Sequence, residues 1–600
     1  MPRIVLLIAL LLLALPASPA QSRRVDTTLA MSDGVSLAIS YFVPSAPRPA
    51  AGFPGLLLVH GFAGSRDDYA GSYAPLYADS GYFAVAYTVR GQGAGASASG
   101  GEFAWFTGAR EIADCRDVLA WMKRRADLNS ERIGIEGISQ GGLTSWGAAI
   151  ADIGVRCAVP VIAVPRYVKT FSSDGCINGA FQTILLTARQ FNLVRLAPFL
   201  RDTLIGALEQ DRFNDVVAML QRVDLEGRER DIRIPVFVQC AWQDEIFNPG
   251  DVMRAFATLR TPSKLMVWPG GHTLAGINEP ERLALTLRFY RHWLRDDTTG
   301  TIMSRDSSVL LVDAATNAHE WLRAADSASW LPSPTLPAAR LHMTATGGLT
   351  TGLPTAPLAI EKINIQNISN EMIVFRSAPF GSDDRIIGAR ASLPVGSSGM
   401  KFQADILLYD YDSIANTHRP ITRGCHGVRR VVGESGHVRL EITLIPQLYT
   451  LAAGHQLEAA VKFGTPAPPL QKPAEEFGRT PWPPQESCRD TLFSSSAEPA
   501  WVELLRYQRP APAHASERIG ERKGMLLSAA VTDEEIRVTI TAVRSETLSV
   551  ELLDLAGRRV ARMEIEATAG LSEHSLPTEG IAAGAYLLRV GGKVVKVVVR

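Results

Sequence analysis

The sequence predicts three kinds of architecture in one chain. First comes an α/β domain with a mostly parallel sheet and an inserted helical cap. An all-β region follows, and a small β-sandwich closes the chain. Three observations carry this. Residues 25–298 alternate short apolar runs with amphipathic segments, the pattern of a parallel sheet covered by helices. Residues 170–230 break the alternation, with helical periodicity and no strand between. After residue 300 turn residues multiply and the apolar runs become short and alternating, as in sandwiches and barrels. The 600 residues exceed one core and suggest three or four domains, at roughly 100–200 residues each. Lys+Arg and Asp+Glu balance at 61 each, so charge gives no reason to expect nucleic acid or an anionic membrane as a partner.

The elements follow in order. Residues 1–20 read as a secretory signal peptide: Arg3, an apolar run from Ile4 to Leu15, then Ala17-Ser18-Pro19-Ala20. The run is short of the roughly 20 residues that span a bilayer. Residues 25–300 form the α/β domain. "PGLLLVHGF", "YFAVAYTV", "RIGIEGIS", "IPVFVQCAWQD" and "KLMVWPGGH" are its buried strands. Glu111 to Arg124 and "ERLALTLRFYRHWLRD" are helices, and the cap spans about 170–230. Residues 301–505 form the β region, with "EKINIQNIS", "KFQADILLYDYDS", "HVRLEITLIP" and "HQLEAAVKFG" as strands. Seven prolines between Pro466 and Pro484 stiffen a segment of it. Residues 506–525 read as a linker, and 526–600 as a β-sandwich module. Export permits disulfides. Of the six cysteines, Cys115 and Cys240 are expected as buried thiols, while Cys157–Cys176 and Cys425–Cys488 are candidate pairs. No C-x-x-C spacing points to zinc, and no metal or cofactor is expected.

"GISQGG" carries the chemistry. Serine catalysis needs a sharply presented hydroxyl, a base, a group that orients the base, and oxyanion donors. Ser139 falls between a strand, "RIGIE", and a helix rich in small residues, and Gly137 and Gly141 clear space around it. That is the setting of a nucleophile elbow. The base is His272, on a glycine-flanked loop after the last strand of the domain. His60 is expected to orient its loop, and His292 to be structural. The orienting acid is Asp244 at a strand end, with Glu245 as the neighbouring alternative. The chain order Ser…Asp…His is the order of an α/β hydrolase. The backbone N–H groups of Phe62 and Gln140 are the expected oxyanion donors. The glycine-rich stretch Arg90 to Gly101 lacks the lysine of a phosphate loop and reads as a turn beside the active edge.

"MSDGVSLAISYFVP", "RGQGAGASASGGEF", "EIADCRDVLAWM", "GISQGG", "WQDEIF" and "PGGH" follow one another as in the Xaa-Pro dipeptidyl-peptidase-like, cocaine esterase-like serine hydrolases, which the chain resembles. "FRSAPFGSDDRIIGA" and "FQADILLYDYDS" resemble that family's C-terminal β jelly-roll domain. The resemblance implies an acyl-enzyme mechanism on Ser139, Asp244 and His272, acting on a small peptide or ester. Two positions depart from it. Many members carry an oxyanion-binding tyrosine where this chain has Phe62, and an aspartate where it has Thr88. A peptidase of this type also has to hold a free α-ammonium, which asks for a carboxylate such as Asp174. A carboxylesterase or acylase is the alternative within the family. A non-catalytic surface-binding protein is the alternative outside it, and an intact triad argues against that. "LSVELLDLAGRRVARMEIEATAG" and "GAYLLRV" resemble the C-terminal sorting module of type IX secretion. That implies the secretion machinery as a partner and a secreted or cell-surface, outer-membrane-associated location.

Overall fold

The computed structural model describes residues 22–172, 174–274, 276, 278–298, 302–303, 308–364, 372–463 and 487–509, and most of 526–599. The segments expected to be a signal peptide (1–20), a proline-rich stretch (466–484) and most of a linker (510–525) lie outside the described residues. The chain forms two compact units. One takes the described residues to Thr273 and Tyr290–Gln508; the other takes Leu274–Phe289 and Arg509–Arg600.

The first unit is built on a ten-stranded sheet. Its strands are β1 (Arg23–Ala30), β2 (Ser36–Val43), β3 (Phe53–Val59), β4 (Phe83–Tyr87), β5 (Leu128–Ile138), β6 (Cys157–Val161), β7 (Val236–Ala241), β8 (Ser263–Trp268), β9 (Val309–Val312) and β10 (His319–Leu322). They lie in the order β1-β2-β4-β3-β5-β6-β7-β8-β9-β10. From β4 to β9 every neighbouring pair is parallel. Every residue of β3, β4, β6, β7, β8 and β9 is buried, which is why these strands read as continuous apolar runs rather than alternating ones. Chain order and spatial order part company at β3, which lies between β4 and β5. A doubly wound sheet opens its ligand crevice at such a point, beyond the carboxyl ends of the strands.

Two expectations need correction. The catalytic sheet does not end near residue 300, because β9 adds to it parallel to β8 and β10 closes its edge. The Trp242 indole holds β9 in place by donating to the Val312 carbonyl at 2.7 Å. The cysteines form no disulfide among the described residues; all six are buried thiols. Cys157 packs against Gly134 in the sheet, while Cys176 faces Gly427 and the Gln403 amide in the β-rich region.

Between β6 and β7 the chain leaves the sheet for the helices Tyr167–Phe171, Gly179–Gln190, Ile205–Glu209 and Phe213–Val223. This is the predicted cap, beginning a few residues early. The last of these helices turns Val216, Met219 and Leu220 inward, the spacing of one helix face. The β-rich region is a twelve-strand assembly whose core includes Leu393, Ile406, Leu408, Val461, Leu492, Val502 and Leu504. Its longest strand, Asp384–Ser397, pairs with strands on both sides. In the second unit a three-stranded and a four-stranded sheet contribute to one core of Ile536, Val538, Leu548, Val550, Leu552, Leu576 and Leu588.

Candidate active site

Four loops leave the carboxyl ends of β3, β5, β7 and β8, and they carry His60–Phe62, Ser139, Asp244 and His272. β3 and β5 are neighbours in register, Val59 beside Gly137, so the loop after β3 lies against the elbow after β5. A Cβ on Gly61 would lie 3.8 Å from the Ser139 Cβ.

Ser139 has φ 56° and ψ −114°, a conformation an L-residue adopts at a cost of order 1–3 kcal/mol. Packing enforces it. A Cβ on Gly141 would fall 1.9 Å from the Val59 carbonyl oxygen, and one on Gly137 would fall 2.1 Å from Gly141. Gly142 is as tight, since its Cβ would meet Ala163 and the Val161 carbonyl at 2.7 Å. The spacing G-x-S-x-G-G is thus a steric requirement of strand and helix approaching this closely. The Ser139 N–H donates to Val161 in β6 at 3.0 Å, and the helix Gln140–Ile150 starts at the next residue.

His272 Nε2 lies 2.8 Å from Ser139 Oγ. Its Nδ1 lies 2.9 and 3.1 Å from the two Asp244 carboxylate oxygens. Asp244 is 1% exposed, and its Oδ1 also accepts the N–H groups of Ile246 at 2.8 Å and Phe247 at 2.9 Å. Three donors therefore fix the plane of its carboxylate. Glu245, the alternative acid, serves differently. It accepts the backbone N–H of His272 at 2.9 Å and fixes the histidine loop. Burial works against the imidazolium. The charge and hydrogen bond of Asp244, with the charge of Glu245, outweigh it and hold His272 above the ordinary 6.5.

The two expected oxyanion donors are backbone N–H groups. The Phe62 N–H has no partner among the described residues. The Gln140 N–H opens a helix, where the first four N–H groups lack intrahelical acceptors and the helix dipole favours negative charge. The Phe62 side chain packs on Phe103 and Phe106 with ring centroids 5.5 and 5.6 Å apart. His60 is buried, with both ring nitrogens engaged by backbone. Its Nε2 accepts the Val89 N–H at 3.0 Å, which puts the proton on Nδ1, 2.6 Å from the Gly61 carbonyl. Burial lowers its pKa further.

The structure adds residues that spacing did not disclose. Glu136, buried in β5 three residues before Ser139, accepts the hydroxyls of Tyr77 at 2.6 Å and Tyr290 at 2.7 Å, with Tyr69 at 3.4 Å. Gln243 ties the acid loop to the histidine loop. Its N–H donates to the Gly270 carbonyl at 2.9 Å, and its Oε1 accepts the Gly270 N–H at 2.6 Å. Its amide nitrogen donates to Gln447 of the β-rich region. Asn178 caps the helix Gly179–Gln190 and donates to the carbonyls of Glu245 and Ile246 at 3.2 Å, linking cap to acid loop. Asp174, the ammonium-binding candidate, sits where the cap meets the β-rich region, its carbonyl accepting the Gly427 N–H at 2.8 Å. Nearby, Asp211 of the cap is paired with Lys401 at 2.5 Å and Arg429 at 3.0 Å. Rings also run from the oxyanion loop to the imidazole: Phe62, Phe106, Tyr167, Phe171, Phe247, His272, with neighbouring centroids 5.6 to 6.4 Å apart.

Known proteins are similar to this chain in sequence and fold. Residues 33–274 match the model of the X-Pro dipeptidyl-peptidase (S15 family). Cocaine esterase of a Rhodococcus species is 24% identical over 303 residues, 43% of this chain and 50% of that enzyme. Among solved structures, a CocE/NonD family hydrolase from Staphylococcus aureus superposes with a TM-score of 0.62 at 14% identity, covering 81% of this chain and 94% of the other. An α-amino acid ester hydrolase gives 0.63 at 14% identity, covering 82% and 98%; at such identities the likeness is one of fold. Over residues 33–274 the chain is therefore similar to the X-Pro dipeptidyl-peptidase (S15) family, and that similarity places it among hydrolases of ester or peptide bonds.

Proposed function

We propose that the chain is an exported serine hydrolase, X-Pro dipeptidyl-peptidase-like, that cleaves amide or ester bonds through an acyl-enzyme. The observation that carries this is the unbroken line Asp244–His272–Ser139, with contacts of 2.9 and 2.8 Å. His272 Nε2 takes the Ser139 proton as Oγ attacks the carbonyl carbon. The N–H groups of Phe62 and Gln140 receive the oxyanion. His272, held as imidazolium beside Asp244, returns the proton to the leaving amine or alcohol. A water activated by the same imidazole then releases the acid. The β-rich region, read as a jelly roll, holds the acid loop through Gln447, and the cap shapes the acyl side. Export rests on residues 1–20 and on the resemblance of residues 526–600 to a type IX sorting module.

A carboxylesterase or acylase is the second reading. The partly exposed Phe62 ring, on the loop beside Ser139, favours it, since it offers apolar surface to an acyl group. One experiment separates the cases. A fluorophosphonate probe labels wild type at Ser139 and leaves Ser139→Ala unlabelled. Xaa-Pro chromogenic dipeptides are then compared with short acyl esters. Dipeptide release supports the peptidase reading, ester turnover without it supports the second, and absence of labelling refutes both.

A further inference from the structure

The glycine-rich turn Arg90–Gly101 carries a residue that the triad does not account for. Gln92 is completely buried. Its Oε1 accepts the N–H of Ala63 at 2.9 Å, one residue past the oxyanion loop's Phe62. Its Nε2 donates to Gln140 Oε1 at 2.9 Å, the side chain of the residue that follows the nucleophile. A backbone N–H only donates, so Ala63 fixes which end of the Gln92 amide is oxygen. The nitrogen is then committed to Gln140. One rigid amide thus spans the two segments whose N–H groups are to receive the oxyanion.

The turn that presents it is held on several sides. Arg90 donates to Asp114 at 2.7 Å and to Asp33 at 3.0 Å. The Val89 N–H donates to His60. Gly91, at φ 70°, donates its N–H to the Gly100 carbonyl at 2.9 Å and accepts the Arg195 N–H at 2.8 Å. A Cβ on Gly91 would meet the Arg195 carbonyl at 2.8 Å, so the turn is seated against its neighbours. Ala63 itself has φ 61°, a conformation that an alanine keeps only when its surroundings hold it. The Gln92 bond to its N–H is part of that hold.

We infer that Gln92 is a positioning residue for the oxyanion hole, setting the separation of the Phe62 and Gln140 N–H groups by clipping the loop after β3 to the elbow after β5. The inference rests on the serine-hydrolase reading. Its effect belongs to the tetrahedral state and not to substrate affinity, because only the oxyanion uses both donors.

The test compares wild type, Gln92→Met, Gln92→Asn, Gln140→Met and the Gln92→Met/Gln140→Met double variant on a 4-nitrophenyl acyl ester. A boronic acid serves as the mimic of the tetrahedral state. Methionine keeps the length and removes both bonds; asparagine keeps the amide but is one methylene short of reaching both partners. Losing one whole oxyanion donor costs about 100–1,000-fold in kcat, so displacing one is expected to cost roughly 10–100-fold with KM nearly unchanged. Boronate affinity is expected to fall by the same factor. The double variant is expected to be no slower than Gln92→Met, because the two side chains make one contact. Wild-type kcat and boronate affinity in a folded Gln92 variant overturn the inference, as does an additive double variant. Loss of fold in both Gln92 variants overturns it too, since it assigns the amide to stability alone. If wild type itself neither turns over esters nor binds the boronate, the hydrolase reading fails and the inference fails with it. If wild type is active and Gln92→Met matches it, the inference fails alone.

Discussion

Asp244→Asn is the substitution whose effect the geometry fixes most closely. The side chain is 1% exposed, and its Oδ1 accepts two backbone N–H groups, from Ile246 and Phe247. In the asparagine variant those donors claim the remaining oxygen, so the amide NH₂ faces His272 Nδ1. The ring must then accept at Nδ1 and carry its proton on Nε2, pointing at Ser139. The base is lost with the architecture intact. The imidazolium also loses its counter-ion, a term of about 4 kcal/mol for charges ~4 Å apart at an effective dielectric of about 20. Together these predict a fall in kcat of roughly 1,000–10,000-fold, about 4–5.5 kcal/mol at 1.36 kcal/mol per tenfold. The assay is steady-state turnover of a 4-nitrophenyl ester, with circular dichroism and thermal melting to show that the fold persists. A folded variant within tenfold of wild type refutes the reasoning. So does an equal loss from Glu245→Gln, whose carboxylate accepts the His272 backbone N–H and makes no hydrogen bond to the imidazole.

Further predictions follow from the same contacts. The working base is neutral His272, held above 6.5, so kcat/KM rises with pH through a value above 6.5 and falls on acidification; Asp244→Asn lowers that value, which a pH–rate profile reads. Glu136→Leu leaves the close Tyr77 and Tyr290 hydroxyls buried without their acceptor and is expected to cost about 2–6 kcal/mol by denaturant titration, at roughly 1–3 kcal/mol per group. Asp211→Asn keeps the left-handed backbone, φ 50°, and removes the charge between Lys401 and Arg429; it is expected to cost about 1–3 kcal/mol, read in the same titration. Gly141→Ala puts a Cβ 1.9 Å from the Val59 carbonyl and abolishes folded, active protein, whereas Gly61→Ala meets Ser139 at 3.8 Å and still folds; soluble yield and labelling rate distinguish the two.

How far each feature could be read from the sequence depends on the range over which it is determined. Ser139, Asp244 and His272 were legible because each sits just beyond an apolar strand, and chain order alone brings parallel strand ends to one edge. The glycines around Ser139 were legible because their reason is local. The cysteine pairs were not. Cys157 lies in β6 against Gly134, while Cys176, 19 positions later, faces another region altogether; spacing carries no information on that. Likewise Cys425 lies opposite Asp405 and Cys488 opposite Asn364, on separate strand pairs. β9 escaped the α/β domain because "VLLV" is four residues long and follows a turn-rich stretch, so its parallel pairing with β8 is a tertiary fact. Glu136 and Gln92 escaped for a related reason. A lone glutamate in a strand or a glutamine in a turn acquires meaning only from partners that lie 29 to 154 positions away.

The central claim is that Ser139 carries the acyl group. Protein quenched in acid during turnover of a slow acyl ester, digested and mass-mapped, tests it directly. The predicted result is an adduct of the acyl mass on the peptide containing Ser139, absent from Ser139→Ala and accumulating at the rate of the product burst. Sustained turnover with no adduct, or with the adduct on another residue, contradicts it.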